Sequence, residues 1–217
     1  MSTVKLDVLS DPICPWCYIG KTNLEKALAA VQDHPFVIEW HPFQLNPEMP
    51  AEGMDRRAYL ENKFGGKDGA VRAYAPVVEH AEKAGITINL DAIKRTPNTL
   101  NAHRLIHWAG IESKQNAVVD ALFQAYFVDG KDIGDIATLA DIGAAAGMER
   151  DVLENLLNGD SDTDTIRDRD NHSRKMGVTS VPTFIVANQH AVPGAQPPEL
   201  WAQVIKDITD QLEAAEK

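Results

Sequence analysis

Apolar residues recur along this chain with two different periods, and the switches between them mark its organisation. Around Val4, Leu6, Val8 and Leu9 the alternation is only partial, which predicts a central, buried strand over about 3–10. From 15 to about 31 the period becomes helical, with Leu24, Ala27, Leu28 and Val31 at i, i+3, i+4 and i+7, until Asp33-His34-Pro35 stops it. Residues 36–43, rich in aromatic and β-branched side chains, predict a second strand. Residues 44–53, with Pro47 and Pro50, predict a loop that leaves the sheet.

Past Asp55 no convincing strand is found until about Met176, and no proline occurs between Pro97 and Pro182, which suits a stack of helices. Helical periods predict 55–65, 69–84, 98–109, 114–128, 136–146, 149–158 and 162–176, with 86–88 a short extended link. Asp135 stands where an N-cap belongs, and Gly85, Gly147, Gly159 and Gly177 stand where C′ glycines belong. Leu139, Ile142 and Gly143, then Val152, Leu153, Leu156 and Leu157, supply inward faces. The strand pattern returns at 182–186, followed by a turn at 187–189 and a short partner at 190–192, which together predict a hairpin. Leu200, Val204, Ile205, Ile208 and Leu212 stripe a terminal helix, and the polar residues through Lys217 are expected to fray. The order is β-α-β, a helical block, then α-β-β-α. Strands at both ends of the chain must share one sheet, so the fold class is α/β. Residues 1–46 and 178–217 form one discontinuous domain, and 47–177 an inserted helical domain.

Composition narrows the function classes. With 217 residues and 44% hydrophobic content the chain can bury a substantial core, and its apolar runs fall short of the ~20 residues that span a bilayer. A formal net charge of -11 repels phosphates and anionic lipid, which argues against nucleic acid or membrane as partners. Residues 1–5 offer no basic stretch followed by an apolar one, so no secretory signal is expected.

The two cysteines of the chain both lie in Cys14-Pro15-Trp16-Cys17, at the junction of the first strand and the first helix. No disulfide other than Cys14–Cys17 can form within the chain, which suits a reducing, cytoplasmic compartment. If Cys14 caps the helix, Pro15 at the first helical position loses no hydrogen bond. The Cys14 sulfur then faces the free N–H groups of the helix end, which favour a thiolate. Cys17 lies one turn deeper on the same face, giving an exposed attacking sulfur and a covered resolving one. This arrangement reads as a redox dithiol. The alternatives are half a zinc site completed by His103 and His107, at i, i+4 spacing, or two unrelated core thiols. Asp11 either caps the turn before Cys14, the stronger reading, or carries a proton for Cys17.

Val178-Thr179-Ser180-Val181-Pro182-Thr183-Phe184, taken with the CPWC motif and the helical insertion, resembles the thioredoxin-fold DsbA-like oxidoreductases. The chain is most similar to their FrnE-type branch in Cys14 to Lys21, Phe43-Gln44-Leu45-Asn46-Pro47, Asn98-Thr99 with Ala102-His103-Arg104, and Pro193-Gly194-Ala195-Gln196. The resemblance implies a thioredoxin-like fold with an all-helical insertion between the second strand and the strand after Pro182. It implies a cis Val181–Pro182 bond packed against the disulfide, with a substrate strand pairing along Val181. It assigns Cys14 and Cys17 as catalytic, Pro182 as supporting, and Val181, Pro15 and Trp16 as substrate-binding. It implies no metal and no bound cofactor beyond the redox-active disulfide, with glutathione as a co-substrate. The activity implied is exchange with disulfide- or thiol-bearing proteins or small molecules. The chain departs from the family pattern in carrying Pro-Trp between the cysteines, and Val8 where a buried acid often assists the resolving thiol, so the direction of electron flow is left open. A site poised near -120 mV would sit ~100 mV from a glutathione pool near -220 mV, about 4.6 kcal/mol, so a cytoplasmic dithiol would mostly reduce or isomerise.

Two rivals remain. Kappa-type glutathione transferases and hydroxychromene-carboxylate isomerases share the inserted-helix layout and are similar around 98–104, but typically carry Ser at the first active position, where this chain has Cys14. A chaperone-like binding module would use a groove lined by Trp16, Phe43, Tyr126 and Phe127, although aromatics at such spacings are more often core. His103 and Arg104 either face such a groove or are satisfied in caps and core, the second being the simpler reading.

Overall fold

The computed structural model describes residues 3–31 and 33–215. Met1 and Ser2, and Glu216 and Lys217 of the tail expected to fray, lie outside the described residues, as does Gln32.

The sheet is built around β1 (Val4–Ser10). It pairs in parallel with β2 (Phe36–Pro42), Val4 opposite Phe36 and Ser10 opposite Pro42. On its other side it pairs antiparallel with β5 (Thr183–Val186), Leu9 opposite Thr183. β5 continues into β6 (His190–Pro193), which gives the order β2-β1-β5-β6. Central placement explains the imperfect alternation of β1, since Leu6, Val8 and Leu9 are all buried. Even Asp7 is buried, accepting from Lys5 Nζ at 2.9 Å and lying 2.6 Å from His41 Nε2. The helices α1 (Pro15–Ala29) and α9 (Pro198–Ala215) pack on each other, and Trp201 of α9 sets its ring edge-on to Phe184, centroids 4.7 Å apart. The β5–β6 turn closes with Gln189 N donating to Val186 O at 3.0 Å, with Ala187 and Asn188 both at positive φ.

The helical block runs through α2 (Arg56–Phe64), α3 (Lys67–Lys83), α4 (Leu100–Ile111), α5 (Gln115–Phe123), α6 (Ile136–Ala145), α7 (Arg150–Asn158) and α8 (Thr163–Lys175). Asp135 caps α6 as expected, accepting from Thr138 N at 2.8 Å, and Asp55 caps α2 likewise through Ala58 N at 2.9 Å. Gly85, Gly147 and Gly177 take the positive φ of C′ glycines, whereas Gly159, at φ -94°, is extended. Two further features depart from the sequence reading. A two-residue ladder joins β3 (Met54–Asp55) to β4 (Arg95–Thr96), pairs too short to show any period. α5 does not continue regularly to 128 but passes into a π-helical turn (Gln124–Val128), which carries Tyr126 and Phe127 inward. Such insertions recur at functional sites.

α4, α5 and α8 cover β2, and one hydrophobic cluster runs from Leu6 and Val8 of the sheet to Leu105, Leu122 and Leu139 of the helices. A second cluster of Ile19, Val77, Ala81 and Ala84 clamps α1 to α3. This clamp brings the α2–α3 pair over the N-terminus of α1. Among the described residues no helix is long and apolar enough to cross a membrane.

Candidate active site

β1 delivers the chain into the turn Asp11-Pro12-Ile13, where Cys14 N donates to Asp11 O at 2.9 Å. Cys14 is the N-cap of α1, with φ -87° and ψ 114°, and Pro15 opens the helix. No side-chain capping bond ties down the Cys14 sulfur. Its carbonyl accepts from Cys17 N at 3.0 Å and Tyr18 N at 3.2 Å, so the first turn places Cys17 beneath it. Tyr18 stacks on Phe123 and Phe127, and the buried Lys21 bonds Glu25 and Asp120, fixing α1 against α5.

The expected exposed attacking sulfur is not open to bulk solvent. Cys14 is 3% exposed and Cys17 1%. The difference comes from the inserted helices: α2, α3 and the loop before β5 fold over the start of α1. Cys14 instead forms part of the wall of a cavity of about 290 Å³, together with Pro15, Trp16 and Val181. The Val181–Pro182 peptide bond is cis, and the Val181 carbonyl lies 3.6 Å from the Cys14 sulfur, which donates to it. Pro182 packs against Gly20 of α1, where a Cβ would stand 3.0 Å from the proline Cγ. Cys14, Cys17, Val181, Pro182, Pro15 and Trp16 are thus brought to one place, with Trp16 edge-on to His80, ring centroids 5.1 Å apart.

Burial pushes the Cys17 thiol well up from its ordinary range, and the adjacent Cys14 adds to the rise. The Ser10 side chain and the Asp11 backbone oppose it. Asp11 thus meets Cys17 through its main chain. Its carboxyl group is turned to structural work. Oδ2 accepts from Leu45 N at 2.7 Å and Thr99 Oγ1 at 3.4 Å, and Oδ1 from Ile13 N at 3.3 Å. Burial raises this carboxyl group to about 7 despite those bonds. His103 Nε2 lies 3.9 Å from Asp11 Oδ1 and has no hydrogen-bond partner among the described residues.

The other singled-out residues separate. His107 accepts from Arg169 at 3.1 Å, and neither it nor His103 forms a three-ligand cluster with the cysteines among the described residues. Arg104, 1% exposed, donates to the carbonyls of Leu156, Leu157, Gly159 and Ser161, holding the end of α7. Phe43 and Phe127 are core, while Tyr126 lines the cavity. Asp7, Glu39 and His41 gather ligand atoms within 4.8 Å, yet Lys5 bridges both carboxylates at 2.9 Å and Arg169 reaches Glu39 at 3.1 Å, so the cluster is already neutralised.

Several cavity residues escaped the sequence reading, Arg56 chief among them. Arg56, 6% exposed, donates from Nη1 to Tyr126 Oη at 3.0 Å and from Nη2 to Tyr74 Oη at 3.1 Å. Its one signal in the sequence is a cation in the first turn of a helix, where the dipole disfavours it.

A family model described as DSBA-like thioredoxin domain matches residues 5–206. The protein YwbO of Bacillus subtilis is 28% identical over 206 residues, covering 94% of this chain and 97% of its own. Among solved structures, the "probable DsbA oxidoreductase" of Streptomyces coelicolor superposes with a TM-score of 0.84 at 26% identity, covering 94% of this chain and 89% of its own. The cytosolic disulfide reductase DsbM of Pseudomonas aeruginosa, solved with GSH, shares the fold with a TM-score of 0.68 at 17% identity, covering 95% and 99%.

Proposed function

The chain belongs to the DSBA-like thioredoxin domain family, and from that membership we propose that it is a cytoplasmic thiol-disulfide oxidoreductase and isomerase working through Cys14 and Cys17. The observation that carries this reading is the placing of the Cys14 sulfur in a cavity wall, beside the Val181 carbonyl and one turn above a covered Cys17.

In the proposed cycle the Cys14 thiolate attacks a substrate disulfide R–S–S–R′. A Cys14–S–S–R bond forms and R′S⁻ leaves. Cys17 then gives up its proton and attacks the Cys14 sulfur, so that RS⁻ leaves and a Cys14–Cys17 disulfide forms. Two electrons have passed to the substrate, and the two released thiolates take up protons. Two molecules of a small thiol such as glutathione return the pair to the dithiol by the reverse exchanges, becoming oxidised themselves. If a second substrate thiol attacks the mixed disulfide before Cys17 does, the result is isomerisation. The upward-shifted Cys17 thiol supports a resolving role, because it stays protonated until Cys14 is engaged. A substrate segment pairs along the Val181 main chain, with Pro15 and Trp16 flanking it. A cytoplasmic setting is supported by the confinement of both cysteines to one motif and by the cytosolic description of DsbM.

The test is turnover of a small disulfide with excess glutathione, with wild type, Cys14→Ser and Cys17→Ser compared. Cys14→Ser should be inactive. Cys17→Ser should accumulate a mixed disulfide on Cys14, visible by mass, with turnover reduced at least about tenfold. Full turnover by Cys17→Ser would instead favour a monothiol, glutathione-dependent transferase chemistry.

A further inference from the structure

The cavity beside Cys14 carries charge of one sign. Arg56 and Lys63 line it, and among the described residues no Asp, Glu or His does, in a chain whose formal net charge is -11. Lys63 stands at the exposed rim, donating to Tyr59 Oη at 2.7 Å. Arg56 is the deeper cation, and unlike Arg104, whose donors are taken up by Asn101 and backbone carbonyls, it bonds two phenol oxygens alone among the described residues. A guanidinium is rarely buried without a carboxylate, because its desolvation needs an opposite charge to offset it. Among the described residues no carboxylate pairs with Arg56; its hydrogen-bond acceptors are two phenol oxygens. The faces of Tyr74 and Tyr126, 5.5 and 5.9 Å from the guanidinium carbon, supply weak cation–π support only. Burial pushes the Tyr126 hydroxyl up, so that partner stays neutral.

We propose that Arg56, with Lys63 at the rim, receives a carboxylate of the substrate, so that the disulfide or thiol engaged by Cys14 belongs to a small acidic molecule. The proposal rests on the dithiol reading above and names its substrate class. The size of the site agrees. About 290 Å³ is at the small end of ligand cavities and admits one short, carboxylate-bearing half of a disulfide. Arg56 has five N–H donors in a planar fork, and a carboxylate is the acceptor that geometry fits. Arg56 does not touch the reacting sulfurs on this account. It is a specificity-determining residue.

The experiment is single-turnover oxidation of the reduced protein by three small disulfides of similar size. They are dithiodipropionic acid, with two carboxylates; hydroxyethyl disulfide, neutral; and cystamine, with two ammonium groups. Each rate is divided by the rate of the same disulfide with free 2-mercaptoethanol, a neutral thiol. Wild type should prefer the dicarboxylate over the neutral disulfide about tenfold or more, with cystamine slowest, and the preference should shrink as salt is raised. Arg56→Met should bring the dicarboxylate-to-neutral ratio close to that of the free thiol, and Arg56→Lys should retain part of it. Lys63→Gln, at an exposed position, should lower the ratio about threefold and gives a reading even if Arg56→Met does not fold. A flat wild-type ratio, or one that survives both Arg56→Met and Lys63→Gln, overturns the assignment while leaving the dithiol reading intact. If none of the three disulfides oxidises the protein, the dithiol reading fails, and this one with it.

Discussion

His103 Nε2 lies 3.9 Å from Asp11 Oδ1, and the two do not form an ion pair, because burial disfavours the charged form of each. Asp11 is raised from 3.8 to about 7 and His103 lowered from 6.5 to about 4, each mainly by loss of water. The signs oppose. Asp11 holds its proton more tightly when folded, so its contribution to stability is present at low pH and lost as pH rises through about 7. His103 holds its proton less tightly when folded, so its contribution is present above 6.5 and lost as pH falls through about 4. Between about 4 and 6.5 the two slopes cancel.

Removing either partner should therefore unmask the other. Asp11→Asn should make stability rise with pH across that window by up to about 1.4 kcal/mol per pH unit, and His103→Gln should make it fall at a similar rate. Urea denaturation of wild type and both variants at three pH values between about 4.5 and 6.5 checks this. Parallel profiles for all three proteins would show that the burial of these two groups has been misjudged.

The covered Cys17 makes a second expectation. With its thiol pushed up by burial and only 1% of its surface exposed, it should resist iodoacetamide in the folded, reduced protein, while Cys14 reacts through the cavity. Peptide mapping after alkylation at about pH 8 should find label on Cys14 alone until denaturant is added. Equal labelling of both thiols would contradict the layering of the two sulfurs.

Much of this arrangement could be read from residues in sequence order. Asp135, Gly85, Gly147 and Gly177 mark helix ends by local chemistry, and Cys14-Pro15 marks the start of α1 in the same way, so these boundaries were legible. The expected exposure of Cys14 was wrong because cover there is decided by α2 and α3, some 40 or more residues downstream, through contacts such as Ile19 with Val77. The i, i+4 pair His103 and His107 suggested a shared ligand face. Yet α4 is packed on several sides, so His103 turns under Asp11 while His107 meets Arg169. Arg56 was invisible because a cation in a polar helix looks solvated until Tyr74 and Tyr126, far apart in sequence, close around it.

Two glycines separate stability from activity. A Cβ on Gly20 would stand 3.0 Å from Pro182 Cγ and 3.3 Å from Ala195 Cα, so Gly20→Ala must push the proline ring away from α1. A Cβ on Gly143 would meet the Leu153 Cδ1 atom and lie 3.1 Å from Leu105 Cδ1, where α6 crosses its neighbours. Each substitution should cost about 1–3 kcal/mol by overpacking. Only Gly20→Ala should also slow oxidation of the dithiol, since it alone disturbs the residues around Cys14. Thermal melts and single-turnover oxidation, measured on both variants, separate the two effects. Equal rates for the two variants would mean that the position of the Pro182 ring does not matter to the exchange.

The last relationship ties the helical block to the sheet. Asp170 of α8, 4% exposed, accepts from Gln44 N at 2.8 Å and from Arg174 Nε at 2.8 Å, and the Arg174 guanidinium lies 4.1 Å from the Phe43 ring centroid. Gln44 follows β2 directly, and its neighbour Leu45 donates to Asp11, so this clip anchors the strand exit that supports the turn before Cys14. Removing one member strands the other: Asp170→Asn weakens the acceptor for Gln44 N and leaves Arg174 without its counter-charge, while Arg174→Met leaves a buried carboxylate with one donor. The double variant should therefore cost less than the sum of the singles, by about 1 kcal/mol, a figure kept low because Arg174 is partly exposed and screened. A double-mutant cycle from urea denaturation reads that coupling, and additivity within about 0.3 kcal/mol would show the clip to be two independent contacts.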